Sequence, residues 1–278
     1  MDHDARHLIE LKDSPPPRGS GLFAKALIPR GTRIIAEPAL LRVSDSANVH
    51  ATAILHAYEQ LPPQKQEQYL SLHAHASNTH KKHFERELQQ EFSQLPALHR
   101  MVLSIYAANA FTGVFLLTSR INHSCLPNCS AAYNRSLEEE TVHAVRDIRA
   151  GEELTVRYVE TSRARAQRQS ELAKWGFRCG CEVCEDTLEG RMREEKRMQL
   201  FQLDQSLAWD TRAGGNEEAW RRALHTARKT AALQKAEGLV GRELGNSWVL
   251  TLRLIGSGNA FGLRFWCPLG TMSLLGCA

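Results

Sequence analysis

The sequence is short of the features that mark several broad classes of protein. It has no apolar run long enough to cross a bilayer, even in the weakly charged stretch 245–278. Residues 1–13 are studded with charges and histidines, which is unlike a secretory signal. The net charge of the 278 residues is only +4, so nothing in the composition demands a nucleic acid. We therefore expect an intracellular monomer, of the nucleus or the cytoplasm, with no membrane contact and no direct nucleic-acid binding.

Cysteine is scarce over most of the chain and then clustered. Residues 44–108 contain none, whereas three of the seven cysteines stand at Cys179, Cys181 and Cys184. Three thiols this close cannot pair comfortably with one another, and in a reducing compartment the spacing is typical of three corners of a tetrahedral zinc site. We predict that Cys125 supplies the fourth corner. The alternatives for that position are Cys129, His123, Cys267 and Cys277.

The hydrophobic pattern predicts an α+β protein made of short strands and a helical insert. Residues 22–27 and 32–36 are expected to form a β-hairpin, and residues 49–109 three or four helices whose many histidines form a polar surface. Further strands are predicted at 114–117, 129–133, 141–146 and 153–158. A basic helix is expected from an N-cap at Ser162 to an end at Gly176, and two amphipathic helices at 188–209 and 216–239.

The run Asn122-His123-Ser124-Cys125-Leu126-Pro127-Asn128 allows more than one interpretation. It could be a polar loop, or His123 and Cys125 could form a base and a nucleophile. Two residues this near in an extended loop rarely face each other productively. We therefore favour Cys125 as a metal ligand over a thiol hydrolase.

Four segments together carry a family resemblance. They are Gly19-Ser20-Gly21-Leu22-Phe23-Ala24 with Ile28-x-x-Gly31, the run 122–128, Gly151-Glu152-Glu153-Leu154-Thr155-x-x-Tyr158, and Phe177 with the three clustered cysteines. In this order they resemble a SET-domain protein lysine methyltransferase over about residues 18–185. Gly-x-Gly alone is weak evidence, but the four segments together are specific.

The resemblance is strongest to the SET-and-MYND branch. Asn109-Ala110-Phe111 resembles a short cofactor-contacting motif of that branch, and helices follow the zinc knot. Two departures are clear. The cysteine-free stretch 44–108 cannot supply the MYND zinc finger, and the C-terminal helical region is shortened. Partners that bind through the finger are therefore not expected.

The resemblance implies a β-rich SET fold of short folded-over sheets, S-adenosylmethionine as methyl donor and a lysine of a protein substrate as acceptor. It implies a structural zinc held by Cys125, Cys179, Cys181 and Cys184. Tyr158 is implied as the catalytic residue. The implied cofactor-binding residues are Gly19, Gly21, Leu22, Asn109, Asn122, His123, Tyr158 and Phe177. The alternative is a non-catalytic module that keeps the SET scaffold and the zinc knot as an interaction surface.

The predicted division of the chain follows from these segments. A SET domain is expected at 18–160, with its helical insert at 49–109, and a post-SET helix and zinc-binding region at 161–186. A C-terminal helical region at 187–244 and a tail at 245–278, to which no structure is assigned, complete the division.

Overall fold

The computed structural model of the chain describes residues 4–14, 19–43, 50–212, 217–240 and 244–251. The chain separates into two compact units that divide between Arg197 and Met198. Most of the predicted tail, residues 252–278, and the proline-rich stretch 15–18 lie outside the described residues. Within the described ranges, no helix combines the length and the apolar character that a membrane span requires.

Among the described residues of the first unit, seven short strands form three small sheets. Strand β1 pairs with β2, β3 and β5 flank β6, and β4 runs parallel to β7. The strands are β1 (Ile9–Asp13), β2 (Ser20–Ala24), β3 (Arg33–Pro38), β4 (Asn122–His123), β5 (Cys129–Asn134), β6 (Glu139–Ala144) and β7 (Thr155–Val156). These short sheets occur together with the helices described next, which confirms the predicted α+β class.

In the described residues between β3 and β4 there are four α-helices, at the upper end of the predicted number. They are α1 (Ala51–Glu59), α2 (Pro63–Leu70), α3 (Asn78–Leu88) and α4 (Ala97–Asn109). Pro63 opens α2 at a position where its missing N–H costs nothing, and the Ser77 hydroxyl caps α3 by accepting from the His80 N–H at 3.3 Å. These helices enclose one apolar core, which includes Tyr69 and Leu103.

Helices also follow the last strand in the described part of the chain. They are α5 (Arg165–Leu172), α6 (Leu188–Arg212) and α7 (Glu217–Ala236), and residues 244–251 are also helical. Helix α6 crosses the boundary between the two compact units. In the second unit, Leu207 of α6 packs with Leu224 and Ala227 of α7. Both long helices match their predicted positions to within a few residues.

The predicted hairpin of residues 22–27 and 32–36 is wrong. Strand β2 pairs with β1, in the register Ile9 opposite Ala24, and β3 pairs with β6. The turn between β2 and β3 docks on the far end of β6, where the Gly31 N–H donates to the Ala144 carbonyl at 2.8 Å and Ile28 bridges Ile148. The charged segment before β2 contains the unpredicted strand β1, and this strand takes the place of the expected partner.

Other predicted boundaries also differ from the structure. Of the expected strand 114–117, only Val114 pairs, in an isolated bridge with Leu41. The expected strand 153–158 is reduced to β7. Helix α5 begins after Ala164 rather than at Ser162, whose hydroxyl instead bonds to the Glu160 carboxylate at 3.3 Å. Gly176 does end the helical stretch, at a φ of 78°, where a residue without a side chain is favoured.

Candidate active site and metal centre

The motifs 122–128 and 151–158 run side by side in the first unit. Strand β4 carries Asn122 and His123 alongside Thr155 and Val156 of β7, in parallel register. The Ser124 N–H continues this pairing by donating to the Val156 carbonyl at 3.1 Å. The residues just after each strand, which include Cys125 and Tyr158, therefore lie next to each other although 33 positions separate them in the sequence.

Asn128 fastens the end of the first motif to the start of the second. Its side chain is 1% exposed. Its amide nitrogen donates to the Glu153 carbonyl at 2.8 Å, and its amide oxygen accepts from the Thr155 N–H at 2.7 Å. Because both ends of the amide are satisfied by the same strand, Asn128 fixes the relative position of the two motifs.

Tyr158 stands inside a cluster of aromatic rings. Its ring centroid lies 5.3 Å from that of Trp175, 5.4 Å from His123, 6.0 Å from Phe111 and 6.3 Å from Phe177. The tilted and edge-on arrangements are those that aromatic pairs prefer. Phe111 is 62% exposed, so the cluster is open to solvent on that side.

The Tyr158 hydroxyl is held in one orientation. It donates to the carbonyl of Ile121, a fully buried residue, at 2.7 Å. Burial raises the pKa of Tyr158, and the Glu153 carboxylate raises it further, so the phenol stays neutral at physiological pH. With its one proton committed to Ile121, the phenol oxygen can offer only lone pairs to a ligand.

Both ring nitrogens of His123 have partners inside the protein. Nδ1 accepts from the Tyr158 N–H at 3.0 Å, and Nε2 lies 3.4 Å from the Cys125 sulfur. The assumption that His123 and Cys125 do not face each other is therefore wrong. Both side chains are buried, however, and the Cys125 sulfur lies among other thiols, which leaves a substrate no path to a nucleophile there.

Gly21 packs against a polar group of three side chains. Asn122 donates from its amide nitrogen to Glu153 at 2.7 Å and to Ser14 at 3.1 Å, and the Ser14 hydroxyl donates to the same carboxylate oxygen at 2.6 Å. A Cβ at Gly21 would lie 2.4 Å from the Ser14 oxygen and 2.5 Å from the Glu153 carboxylate. The glycine is therefore required by this group, whereas Gly19 has a φ of 70° and open space at its Cβ position.

The structure separates the other residues implied in cofactor binding. Asn109 ends α4 with its amide nitrogen donating to the carbonyls of Ile105 at 2.7 Å and His73 at 2.8 Å. Leu22 is buried in the core between the sheets. Phe177 is partly exposed beside His123, at a centroid distance of 6.3 Å. The β4–β7 pair is bordered directly by Gly21, Asn122, Tyr158 and Phe177. Asn109 does not border it; the residue that does is Phe111, two positions further along the chain.

The structure brings together the four thiols grouped by the sequence analysis. The sulfurs of Cys125, Cys179, Cys181 and Cys184 all lie within 4.8 Å of one another, and all four residues are buried. The sulfur of Cys125 is 4.0 Å from that of Cys179 and 3.6 Å from that of Cys184. Four thiolates at such distances would repel one another strongly without a cation between them.

The other candidates for the fourth metal ligand lie in different places. Cys129 lies in β5 and belongs to the core between the sheets, away from the four thiols. Burial raises its pKa to about 12, so its thiol stays protonated. Cys267 and Cys277 lie outside the described residues. His123 directs Nε2 at the sulfur of Cys125.

Two aromatic residues of the cluster are absent from the implied site residues: Trp175, and Phe111, which entered only as part of the motif 109–111. Trp175 contacts Tyr158, and its indole N–H donates to the Ala108 carbonyl at 3.0 Å, so α4 fixes its position. Phe111 lies on the exposed side. Their signals in the sequence were nearness to other assigned residues, since Trp175 stands two positions before Phe177 and Phe111 two after Asn109.

Comparisons with known proteins identify the family of the chain. The family profile described as SET domain matches residues 19–159, about half of the chain. The histone-lysine N-methyltransferase set5 of Schizosaccharomyces pombe is 34% identical over 202 residues, which are 69% of this chain and 56% of that protein. The histone-lysine N-methyltransferase SMYD3 of Homo sapiens is 34% identical over 117 residues, 37% of this chain and 27% of that protein.

One further relative and one solved structure are also similar to this chain. A SET and MYND domain-containing protein of Dictyostelium discoideum is 37% identical over 75 residues, 26% of this chain and 21% of that protein. The solved structure of the SET domain of LSMT bound to lysine and AdoHcy is 14% identical, covers 93% of this chain and 88% of that chain, and has a TM-score of 0.42. The chain spans about half of the length of the set5 relative, or 56%. It belongs to the SET-domain family and is related to the SET5 and the SET-and-MYND proteins.

Proposed function

We propose that this protein transfers a methyl group from S-adenosylmethionine to the side-chain amine of a lysine in a protein substrate. The observation that carries the proposal is the environment of Tyr158, a neutral phenol fixed to Ile121 inside an aromatic cluster that opens to solvent beside Phe111. Methyl transfer from a sulfonium to an amine depends mainly on alignment and on electrostatic support for the moving charge. The fixed Tyr158 ring can align the reactants, and the lone pairs of its oxygen can support the moving charge.

The residues near Asn122 suit the cationic end of this cofactor. The amide nitrogen of Asn122 is committed to its neighbours, whereas its amide oxygen accepts no hydrogen bond from any residue in the described part of the chain. An amide oxygen next to the Glu153 carboxylate is suited to accept from an ammonium group. Phe177 offers a partly exposed ring for an adenine. When bound there, S-adenosylmethionine supplies an electrophilic methyl group.

The aromatic residues are assigned to the acceptor. A lysine side chain has a long apolar stem and a polar tip, and rings such as Phe111, Trp175 and Tyr158 would pack along the stem. The tip must be neutral to act as a nucleophile, and an apolar surrounding disfavours its charged form. The lone pairs of the Tyr158 oxygen then orient the amine.

Zinc fits the four cysteines. At a Zn–S distance of about 2.3 Å, tetrahedral ligands lie roughly 3.8 Å apart. The sulfur distances of 3.6 Å and 4.0 Å from Cys125 bracket this value. Four buried thiolates make a closed site of the structural kind. We therefore assign Cys125, Cys179, Cys181 and Cys184 as the ligands of one structural zinc, which would bind the segment after α5 to the loop after β4.

The relatives suggest where to look for the substrate. The Schizosaccharomyces pombe and Homo sapiens relatives are both named histone-lysine N-methyltransferases. Histones are therefore the first acceptors to test. The expected monomer, the expected residence in nucleus or cytoplasm and the expected absence of nucleic-acid binding stay predictions.

The test of the proposed activity uses the whole chain. Purified protein is incubated with S-adenosylmethionine labelled in its methyl group and with core histones or a protein extract. Label is expected on lysine residues, identified by mass spectrometry. Cofactor binding measured by calorimetry with no label transferred to any acceptor would instead favour a catalytically silent SET scaffold. No cofactor binding at all would refute the proposal.

The metal assignment has a separate test. Cys125→Ser removes one thiolate and should lower the zinc content of the purified protein from one ion per chain to a small fraction of that. Cys129→Ser is the matched control, because Cys129 is equally buried but lies in another cluster. Zinc is measured by atomic emission. If the Cys125 variant keeps its full zinc, the ligand set is wrong.

A further inference from the structure

Two arginines are the largest fully buried side chains of the described residues. Arg168 and Arg197 are both 0% exposed, and both reach the cysteine cluster. The Nη2 group of Arg168 lies 3.5 Å from the Cys184 sulfur, and Nη2 of Arg197 lies 3.5 Å from the Cys125 carbonyl. Nothing in the sequence indicates this burial, because Arg168 is one of several charged residues in the predicted basic helix.

The position of Arg168 requires an explanation in terms of charge. A buried guanidinium is strongly unfavourable unless anions and acceptors surround it. Arg168 donates from Nη1 to the Arg163 carbonyl and, at 3.2 Å, to the Glu194 carboxylate, whose side chain is 22% exposed. Its other terminal nitrogen, Nη2, faces the Cys184 sulfur. A neutral thiol is a weak acceptor, whereas a thiolate is a charged one.

The charge of a loaded cysteine site supplies the missing anion. Four thiolates and one divalent cation carry a net charge of −2, and this charge would be buried beside Arg168. A donor that faces a metal-bound ligand also orients it and adjusts its electron density. Arginine suits the place better than lysine, because its planar fork reaches the Arg163 carbonyl, Glu194 and Cys184 at once.

We infer that Arg168 is the internal counter-ion of the cysteine site, donating an N–H···S hydrogen bond to Cys184 that strengthens the binding of a divalent metal. The inference rests on the zinc site proposed above. Arg168 acts through Cys184 and contacts no reacting group, so it is a positioning residue for the metal site. Arg197 adds a second positive charge on the side of Cys125.

The test compares zinc affinities of full-length variants. Arg168→Met keeps an unbranched apolar stem but removes the charge and the donors, and should weaken zinc binding 10- to 100-fold, the range seen when partners of metal ligands are removed. Arg163→Met is the matched control, because Arg163 lies near the start of the same helix and pairs with Glu171 at the surface. It should bind zinc like the parent. Affinities are measured by competition with a chelator.

Cobalt gives a second measurement that a purely structural role would not change. A hydrogen bond to a thiolate draws electron density from sulfur, so its loss should move the sulfur-to-cobalt charge-transfer band of the Co²⁺ protein to longer wavelength. If Arg168→Met does not fold, Arg168→Lys replaces it. Lysine keeps the charge but loses the fork, and the expected result is a smaller loss of affinity with the same direction of band shift.

Glu194→Gln separates the counter-ion role from a simple ion pair. If Arg168 serves only its salt bridge with Glu194, this variant should weaken zinc binding as much as Arg168→Met does. If Arg168 serves the cysteine site, removal of the competing carboxylate should leave zinc affinity unchanged or raise it.

The outcomes distinguish this inference from the zinc proposal. A parent protein that binds no zinc overturns both. A parent that binds one zinc overturns only the role of Arg168 if Arg168→Met, or Arg168→Lys in its place, matches the parent in affinity and in cobalt spectrum. The same conclusion follows if Glu194→Gln loses as much affinity as the Arg168 variant.

Discussion

Replacement of Tyr158 by phenylalanine removes one oxygen atom with two separate consequences. The first is structural, because the buried Ile121 carbonyl loses the hydroxyl that donates to it at 2.7 Å. The second is chemical, because the lone pairs of the phenol oxygen are no longer available to an amine. The ring itself stays, and with it the contacts to Trp175 and His123.

The two losses have different expected sizes. A buried carbonyl left without its donor costs about 1–3 kcal/mol of stability. For a chain of this length, each kcal/mol lowers the melting temperature by about 2–4 °C. In catalysis, loss of the group that orients the amine of the acceptor and supports the transferring charge should raise the barrier by roughly 3 kcal/mol or more, which is a hundredfold or greater fall in rate.

Tyr69 supplies a control that separates these losses. Its hydroxyl donates to the Val102 carbonyl at 2.9 Å and is fully buried in the core of the helical insert. Tyr69→Phe should therefore lower the melting temperature by a similar amount and leave the rate of methylation unchanged. Rates are compared at saturating cofactor, well below both melting temperatures. Cofactor affinity, measured by calorimetry, should survive in both variants.

Two results would refute this reasoning. If Tyr158→Phe methylates as fast as Tyr69→Phe, the Tyr158 oxygen takes no part in the reaction. If Tyr69→Phe loses as much activity as Tyr158→Phe, the rate loss reports only a destabilised fold.

Two further predictions follow from the geometry. Gly21→Ala should weaken cofactor binding tenfold or more, because the added Cβ would lie 2.5 Å from the Glu153 carboxylate and force the polar group beside it to move; an unchanged dissociation constant in calorimetry would contradict this. Burial raises the pKa of Glu140 from 4.5 to about 7, so the folded state holds a proton that the unfolded state has released, and stability should fall as pH rises from about 4.5 to 7. Glu140→Gln should remove that fall, so that its melting temperature lies above that of the parent at pH 8 and near it at pH 5. The control is Glu139→Gln, on the other face of the strand, which should leave the dependence of melting temperature on pH unchanged.

The site was more predictable from the sequence than the fold around it. The motifs 122–128 and 151–158 and the cysteine cluster are local patterns whose chemistry restricts the residues that can serve. A tetrahedral metal needs four ligands, and the spacing of Cys179, Cys181 and Cys184 leaves one place to fill. Counting ligands predicted one further residue, Cys125 was favoured for that position over four alternatives, and its sulfur lies with the other three in the structure.

Long-range pairing could not be predicted in the same way. A turn at Pro29-Arg30-Gly31 between two apolar segments is a sound hairpin signal, but strand β1 competes for β2, and its charged sequence does not show that it is a strand. The end of the first compact unit is another example. The start of α6 is visible in the sequence, whereas the first unit ends at Arg197, whose burial depends on contacts with Thr161 and Cys125.

His123 links the proposed metal centre to the aromatic cluster. Its Nδ1 accepts from the Tyr158 N–H, so the proton of the neutral imidazole lies on Nε2, which faces the Cys125 sulfur at 3.4 Å. One ring therefore joins a proposed metal ligand to the backbone of the proposed catalytic residue, while the Ile121 carbonyl, two positions earlier, holds the hydroxyl of the same tyrosine. Tyr158 is fixed at both ends by a single stretch of five residues, 121–125. A zinc ion bound at the proposed site would hold Cys125 in place and thereby also position the tyrosine.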